Sequence, residues 1–190
     1  NHGIYPIVDN MPAWQRDANA AIFANLHQAR RVVAVSNWTA DQWRHLTGVQ
    51  PAIIYNGIDL AEWQNVPRGM WRGRLQLPAN RPLVLWGKTG LSDVLDPTPA
   101  LELALQRRDI TVVAPLPPAL LTTAPANFVC IGPQPFPAMQ ALLADCDIYL
   151  APVCEKHPIQ LLEALALGRP VLGYDWGGSA ETLRYSSQPA

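Results

Sequence analysis

The sequence is poor in charge, and its charges nearly cancel. Only 15% of the 190 residues are charged, with 14 lysines and arginines against 15 aspartates and glutamates. The basic residues are neither abundant nor clustered, which argues against nucleic acid as a partner. No apolar run approaches the length that spans a bilayer, so we expect no transmembrane segment. Because 49% of the residues are hydrophobic, the chain can bury a substantial core and does not have the composition of a disordered protein.

Cysteine is also scarce. Cys130, Cys146 and Cys154 are odd in number and lack the spacing of metal ligands. A buried free thiol is the default interpretation of Cys130, which lies in a predicted strand, and it is consistent with a reducing compartment. We therefore expect a cytoplasmic protein, with a peripheral place at the inner face of the membrane as an option for the full-length protein. No metal site is predicted.

Both ends of the chain suggest a fragment. The sequence opens with Asn-His-Gly rather than with Met, and it closes with Tyr185-Ser186-Ser187-Gln188-Pro189-Ala190, where a helix should be under way. We therefore expect a piece of a longer protein, truncated at both ends.

The stretch from 147 to 181 has the most informative pattern. Asp147 to Val153 is short and mostly apolar, as a buried parallel strand should be. A helix is predicted from Pro158 to about Leu167, because proline is tolerated in a first turn, and Gly168 can close it in the left-handed conformation. Val171 to Tyr174 is the next predicted strand, and the Gly177-Gly178 turn follows. The unit is therefore strand, turn, helix, strand and glycine turn.

Two carboxylates frame this unit. Glu155 follows the first strand and Glu163 lies on the second turn of the helix. Ligands of open α/β sheets bind outside the carboxyl ends of the strands. The free N–H groups of the helix start, from Pro158 to Gln160, favour an anion there. A phosphate with sugar hydroxyls on both sides describes a nucleotide sugar, so this pattern predicts a nucleotide-sugar site.

The same string resembles a known signature. Glu155, seven intervening residues and Glu163, followed by 164–171 and Gly177-Gly178, resemble retaining glycosyltransferases with the GT-B fold, the large group 1 family. The resemblance implies that Glu155 contacts the donor sugar hydroxyls and that Glu163 binds the ribose. It also implies that the reaction needs no metal and no cofactor beyond the nucleotide-sugar donor.

Further residues follow from the resemblance. The strand from Pro82 to Trp86 ends in Gly87-Lys88 where the family usually has Gly-Arg, so Lys88 would neutralise the diphosphate, although the family's second, downstream lysine is missing. A P-loop is excluded because Pro82 stands where that motif needs glycine. His2 matches a histidine that faces the donor sugar, or is simply a residue near a frayed terminus. The predicted donor-binding set is Gly87, Lys88, His157, Pro158, Ile159, Gln160, Leu161 and Glu163, with Glu155 and His2 as catalytic candidates.

The order of elements predicts the architecture. Residues 82 to 185 alternate strand and helix five times, which favours a parallel, doubly wound, Rossmann-like sheet of the α/β class. The earlier blocks 33–36 and 56–59 resemble the end of the first Rossmann-like domain of GT-B enzymes. We therefore expect the remnant of an N-terminal, acceptor-side domain at 1–65, an interdomain connection at 66–80, and an incomplete nucleotide-sugar-binding domain at 81–190.

Several local features also carry predictions. A helix is expected from about Pro12 to Ala29, capped by Asp9 or Asn10, and a second helix capped by Ser36 or Asn37 and ended by Gly48. The incomplete 1–65 block should leave an apolar face partly exposed, with association as the consequence.

Three aromatic or polar positions are further candidates at the site. Trp86 and Trp176 lie at predicted strand ends, where stacking on the donor is conceivable, although packing is the commoner role of each tryptophan. The resemblance makes the loop 134–136, which follows the third strand of the second domain, a weak candidate for contact with the base.

The leading interpretation is a glycosyltransferase that moves a sugar from a nucleotide-sugar donor to an acceptor with retention of configuration. The acceptor is a glycan, a lipid or a small molecule, which the sequence does not distinguish. Two alternatives stay open: a sugar-nucleotide epimerase of the same fold, and a non-catalytic fragment that binds a nucleotide sugar.

Overall fold

A computed structural model describes residues 11–87, 97–121, 123–151 and 157–186. The sequence predictions for His2, Lys88, Glu155, Asp9 and Asn10 concern positions outside these residues. The chain divides into two compact units. The smaller unit contains, of the described residues, 11–56, 157 and 176–186, and the larger unit contains the rest of 57–175. The predicted domains 1–65, 66–80 and 81–190 have other bounds than these two units, and those bounds stay a prediction.

Strands and helices alternate along the described chain. The strands are β1 (Val33–Ala34), β2 (Ala52–Ile53), β3 (Leu83–Trp86), β4 (Thr111–Ala114), β5 (Phe128–Cys130), β6 (Ile148–Ala151) and β7 (Val171–Gly173). The helices are α1 (Ala13–Ala24), α2 (Asn37–Thr47), α3 (Met70–Arg74), α4 (Thr98–Gln106), α5 (Phe136–Asp145), α6 (Ile159–Ala166) and α7 (Gly177–Ser186).

In the smaller unit, β1 and β2 pair in parallel and α2 connects them. The Ser36 hydroxyl accepts a hydrogen bond from the Thr39 N–H at 3.1 Å, so Ser36 is the cap that the sequence predicted as one of two choices. Gly48 ends the helix in the left-handed conformation, with φ of 71°, as predicted. The small core consists of Ala34, Ala40 and Trp43, with Phe23 packed edge-on against Trp43.

The first helix is shorter than predicted. It ends at Ala24 instead of Ala29, and a 3-10 turn follows at Leu26–Gln28. The Asn25 side chain donates to the Ala21 carbonyl at 2.8 Å and so satisfies one of the last carbonyl groups of α1. At the other end, the cap position is Pro12, whose side chain forms no capping hydrogen bond. The helix therefore stops where a local amide competes with its continuation.

The predicted exposed apolar face is present in the smaller unit. Val33 is 49% exposed, Ile53 38% and Ile54 62%. Each of β1 and β2 pairs only with the other among the strands the structure describes. Two short strands with one covered face leave apolar side chains in water, which is the reason for the exposure.

The larger unit is a five-stranded parallel sheet in the order β5-β4-β3-β6-β7. All residues of β3 and of β4 are buried, as expected for a parallel sheet with both faces covered. The strand order reverses between β3 and β6, where the chain crosses from one half of the sheet to the other. In open α/β sheets the ligand crevice lies outside the carboxyl ends of the strands at such a point.

The elements around this point match the sequence prediction closely. Strand β6 covers the centre of the predicted Asp147–Val153, and α6 begins one residue after Pro158. Gly168 adopts φ of 66°, and its N–H donates to the Leu165 carbonyl at 2.9 Å, so it closes the helix as predicted.

The segment before β3 is fastened to the larger unit. The buried Asp145 carboxylate, at the end of α5, accepts hydrogen bonds from the Gly69 N–H and, at 2.7 Å, from the Trp71 N–H. The Trp71 indole N–H donates to the Ala138 carbonyl at 2.8 Å. A carboxylate at the N-terminus of α3 satisfies N–H groups that have no partner inside the helix. The predicted interdomain connection 66–80 is therefore bonded to α5 of the larger unit.

Candidate functional site

The candidate site of the larger unit lies at the carboxyl ends of β3 and β6. Gly87 follows β3 directly, and its N–H donates to the Leu150 carbonyl of β6 at 3.0 Å. The segments after β3 and after β6, 88–96 and 152–156, are outside the described residues, so the placement of Lys88 and Glu155 stays a prediction. The described part of the site consists of Gly87, the β6 strand and the start of α6.

Gly87 must be glycine because of its neighbour. A Cβ atom at this position would overlap the ring and hydroxyl of Tyr149. Tyr149 is fully buried, and it lies on β6 opposite Leu85 of β3. The tyrosine ring thus occupies the space that any larger residue at 87 would need. The sequence prediction named Gly87 but missed Tyr149, since one aromatic residue in an apolar strand gives no functional signal.

The first turn of α6 offers N–H groups without partners inside the helix. Pro158 precedes the helix in an extended conformation, with ψ of 120°, and its own side chain forms no capping hydrogen bond. The N–H groups of Ile159, Gln160 and Leu161 cannot bond within the helix, because no carbonyl lies one turn before them. The structure therefore brings these three predicted residues together in an arrangement that favours an anion.

Glu163 lies on α6 within the same unit and is partly buried. Burial raises the pKa of its carboxyl group. A carboxylate in such surroundings has lost part of its hydration and gains from hydroxyl donors that replace the lost water. This environment suits a group that accepts hydrogen bonds from hydroxyl groups of a ligand.

His157 belongs to the smaller unit, although it directly precedes Pro158 in the chain. Its carbonyl accepts a hydrogen bond from the Asn56 side-chain amide at 2.9 Å, and its ring lies 5.4 Å from that of Tyr55. Burial lowers the pKa of the imidazole, and its Nδ1 atom is buried without a partner among the described residues. The predicted Asn-Gly turn at 56 thus has a second role, since its amide holds the His157 backbone.

A polar network in the smaller unit was missed by the sequence analysis. Glu181, on α7, accepts hydrogen bonds from the N–H groups of Asn37 and Trp38, both at 3.0 Å, and from the Tyr55 hydroxyl at 2.8 Å. Burial alone would raise the pKa of Glu181, but the N–H groups of Trp38 and Asn37 outweigh it and lower the pKa. The first turn of α2 has no acidic residue of its own. A glutamate 144 positions later supplies the negative charge that stabilises this helix start.

Both tryptophan candidates pack against other side chains of the protein. Trp86 is buried in the hydrophobic core of the sheet with Val84 and Val112, so the suggestion that it stacks on a donor is wrong. Trp176 belongs to the smaller unit and packs edge-on against Trp38, with ring centroids 5.4 Å apart.

The loop predicted as a weak base contact is internally bonded. The Gln134 amide donates to the Ile131 carbonyl at 2.7 Å, and the exposed Phe136 packs edge-on against Trp63. Contact of this loop with a base stays a prediction.

No group of three or more His, Cys, Asp or Glu side chains that could hold a metal ion occurs among the described residues. No helix in the described part of the chain is long and apolar enough to cross a membrane.

Comparison with known proteins adds family information. A model of glycosyltransferase family 4 matches residues 1–62, and a model of group 1 glycosyl transferases matches residues 90–188. A phosphatidyl-myo-inositol mannosyltransferase of Propionibacterium freudenreichii subsp. shermanii is 30% identical over an alignment of 174 residues, which covers 83% of this chain and 41% of that protein.

Solved structures of glycosyltransferases share the fold. The sucrose-phosphate synthase of Thermosynechococcus elongatus superimposes with a TM-score of 0.75 at 19% identity, covering 92% of this chain and 48% of that one. Anabaena HepE in complex with UDP-glucose gives a TM-score of 0.70 at 20% identity, covering 86% and 50%. The chain therefore spans about half the length of the proteins it resembles, and the predicted α/β fold of GT-B type is confirmed.

Proposed function

Because this chain belongs to the group 1 glycosyl transferases, we propose that it forms the donor-binding part of an enzyme that transfers a hexose from a nucleotide sugar to an acceptor, with retention of configuration. The observation that carries the proposal is the start of α6, where N–H groups without partners inside the helix lie at the carboxyl edge of the sheet in the same helix as Glu163. This is the place where open α/β sheets bind their ligands.

The diphosphate of the donor would rest on the N–H groups of Ile159, Gln160 and Leu161. When the bond between sugar and phosphate breaks, negative charge develops on the leaving diphosphate, and donors already aimed at it lower the barrier. Lys88 would add a positive charge to the same group. Because these groups are held by the helix before the donor arrives, little reorganisation is needed during the reaction.

The carboxylates would hold the hydroxyl groups of the donor. Glu163 would accept hydrogen bonds from the ribose, and Glu155 from the transferred sugar, while His2 would face that sugar. No metal or cofactor is required in this proposal, because cationic and N–H groups of the protein stabilise the negative charge of the diphosphate.

The acceptor is the least defined partner. The mannosyltransferase relative carries a phosphatidyl-inositol name, which favours a lipid acceptor over a glycan or a small molecule.

The test is calorimetric titration of the purified chain with UDP, GDP and ADP. We expect one of the three to bind, and Glu163→Ala to weaken its binding about tenfold or more, since hydrogen bonds to a charged group are worth roughly 1.5–3 kcal/mol. The matched control is Glu102→Ala, which removes an exposed carboxylate from α4 of the same unit. It should leave binding unchanged.

The outcome identifies the base as well as the site. Binding of a single nucleotide that depends on Glu163 supports the proposal and selects the donor base. If Glu163→Ala and Glu102→Ala weakened nucleotide binding equally, the loss of affinity would result from the changed net charge of the chain. No binding of any nucleotide by the correctly folded chain would contradict the proposed role.

A further inference from the structure

One side-chain hydrogen bond joins β6 to the start of α6. The Tyr149 hydroxyl donates to the Gln160 side-chain oxygen, Oε1, at 3.1 Å. Tyr149 is fully buried, and its ring closes against Gly87 at the end of β3. Burial, together with the nearby Glu163 charge, raises the pKa of Tyr149, so the phenol stays protonated and acts as the donor. A single tyrosine of β6 thus contacts the other two described segments of the candidate site.

This bond orients the Gln160 amide. With Oε1 occupied by Tyr149, the amide nitrogen Nε2 is left with its two N–H donors, and it forms no hydrogen bond within the described part of the chain. Gln160 is the second residue of α6 and is partly exposed. Two neutral donors therefore accompany the backbone N–H groups of the first turn.

On the basis of the proposed function, we propose that the Gln160 side chain is a ligand of the donor diphosphate and that Tyr149 is the residue that positions it. Gln160 Nε2 donates to a phosphate oxygen beside the backbone N–H groups of α6. Tyr149 acts through Gln160 alone, because its hydroxyl holds the amide oxygen and so decides which end of the amide faces the ligand. A glutamine at position 160 can bind an anion because its amide supplies two N–H donors on a side chain that is shorter and less flexible than that of lysine.

Gln160→Glu is the sharpest variant. It keeps an oxygen for the Tyr149 hydroxyl and replaces the N–H donors by an oxygen that shares a negative charge. We expect the Kd for the nucleoside diphosphate that the wild type binds to rise about tenfold or more, because a hydrogen bond to a charged group is lost and repulsion is added. The Kd for the corresponding nucleoside, measured by ligand-observed NMR, should stay within about twofold, since the nucleoside has no phosphate.

The control variant is Gln106→Glu, which makes the same chemical change at the exposed last residue of α4 in the same unit. It should bind both ligands as the wild type does. A loss of diphosphate binding in this control, equal to that of Gln160→Glu, would mean that the net charge of the chain causes the effect, and would overturn the proposal.

Tyr149→Phe tests the positioning role. It removes the hydroxyl and keeps the ring over Gly87, so we expect the Kd for the diphosphate to rise about threefold, with the thermal unfolding midpoint near that of the wild type. In a Gln160→Leu background the same substitution should have no further effect, because the residue through which it acts is gone.

The failures are distinguishable. A wild type that binds no nucleotide contradicts the proposed function and this inference together. A wild type that binds, with Gln160→Glu unchanged or with nucleoside and diphosphate weakened by the same factor, overturns this inference alone. Full additivity of Tyr149→Phe and Gln160→Leu would overturn the positioning role of Tyr149.

Discussion

The two units of the chain are stabilised in different ways. In the larger unit the central strands β3 and β4 are buried along their whole length, and five strands share one sheet. In the smaller unit β1 and β2 are two residues each, and three of the four strand residues are exposed. The larger unit is therefore stabilised mainly by burial of apolar side chains. The strands of the smaller unit bury too little apolar surface for that contribution to dominate.

The smaller unit compensates with directional polar contacts between distant parts of the chain. Glu181 bonds two N–H groups at the start of α2 and the Tyr55 hydroxyl, and the Asn56 amide holds the His157 carbonyl. The bond between neutral groups has a net worth of roughly 1 kcal/mol and each bond to the carboxylate roughly 1.5–3 kcal/mol, whereas truncating a buried leucine costs roughly 2–5 kcal/mol. The comparison teaches that the same chain uses apolar burial where its sheet is complete and hydrogen bonds where it is not.

The largest expected effect is on the core of the larger unit. Leu85→Ala removes a fully buried side chain from the central strand, and we expect it to lower the free energy of unfolding by about 3 kcal/mol, within the range for leucine cavities. Leu172→Ala is the matched control, because Leu172 lies in β7 of the same sheet but is 64% exposed, and should cost less than about 1 kcal/mol. Urea unfolding followed by circular dichroism measures both. Equal costs would contradict the view that burial stabilises this sheet.

An intermediate effect is expected at the contact between Gly87 and Tyr149. Gly87→Ala adds a methyl group that overlaps the ring of Tyr149. We expect the free energy of unfolding to fall by about 1–3 kcal/mol, the usual cost of overpacking. In a Tyr149→Ala background the same change should cost close to nothing, because the obstructing ring is absent. Thermal unfolding of the four proteins gives the coupling. A cost of Gly87→Ala that persists without the ring would assign it to the backbone instead.

The smallest effects distinguish two glutamates whose pKa values shift in opposite directions. Glu181 in the smaller unit has a lowered pKa, so its stabilisation is present above about pH 4.5 and is lost as the pH falls through the folded-state pKa. Glu163 in the larger unit has a raised pKa, so it destabilises the fold as the pH rises through that value. Glu181→Gln should therefore lower the unfolding midpoint at pH 7 by a few degrees, and Glu163→Gln should raise it slightly.

The pH series provides the check on this prediction. Differences between each variant and the wild type should shrink as the pH falls below the lowered folded-state pKa of Glu181, where both carboxyl groups are protonated in folded and unfolded chains alike. Hydrogen exchange should accelerate at the start of α2 in Glu181→Gln and not in the sheet of the larger unit. Midpoint changes of the same sign in the two variants at pH 7 would contradict the contrast.

Much of the architecture was predictable because it depends on local patterns. Apolar runs predicted the strands of the parallel sheet, and Ser36 and Gly168 predicted a helix start and a helix end through their own side-chain and backbone preferences. The two-glutamate string predicted the family, which the match over residues 90–188 confirms. At the site, the start of α6 was predicted with its three N–H donors, while Glu155, Lys88 and His2 stay predictions.

The misses share a physical cause. Trp86 ends a strand, as predicted, but the sequence left stacking on a donor open beside the commoner packing role, since the burial of its side chain depends on the elements packed around it. Asp145 and Glu181 are acidic residues on helices, and nothing beside them in the sequence shows that each caps another helix far away in the chain. Tyr149 resembled any aromatic residue in an apolar strand until the sheet placed it against Gly87.

The sequence by itself determined the class of fold, the order of strands and helices, and the family, because backbone preferences and hydrophobic periodicity act over a few residues. Only the tertiary structure decided which strand neighbours which, which carboxylate caps which helix, and that Tyr149 holds Gln160 in the first turn of α6. These pairings join residues that lie far apart in the sequence. Such residues meet only through the packing of whole helices and strands in three dimensions, which local preferences do not specify.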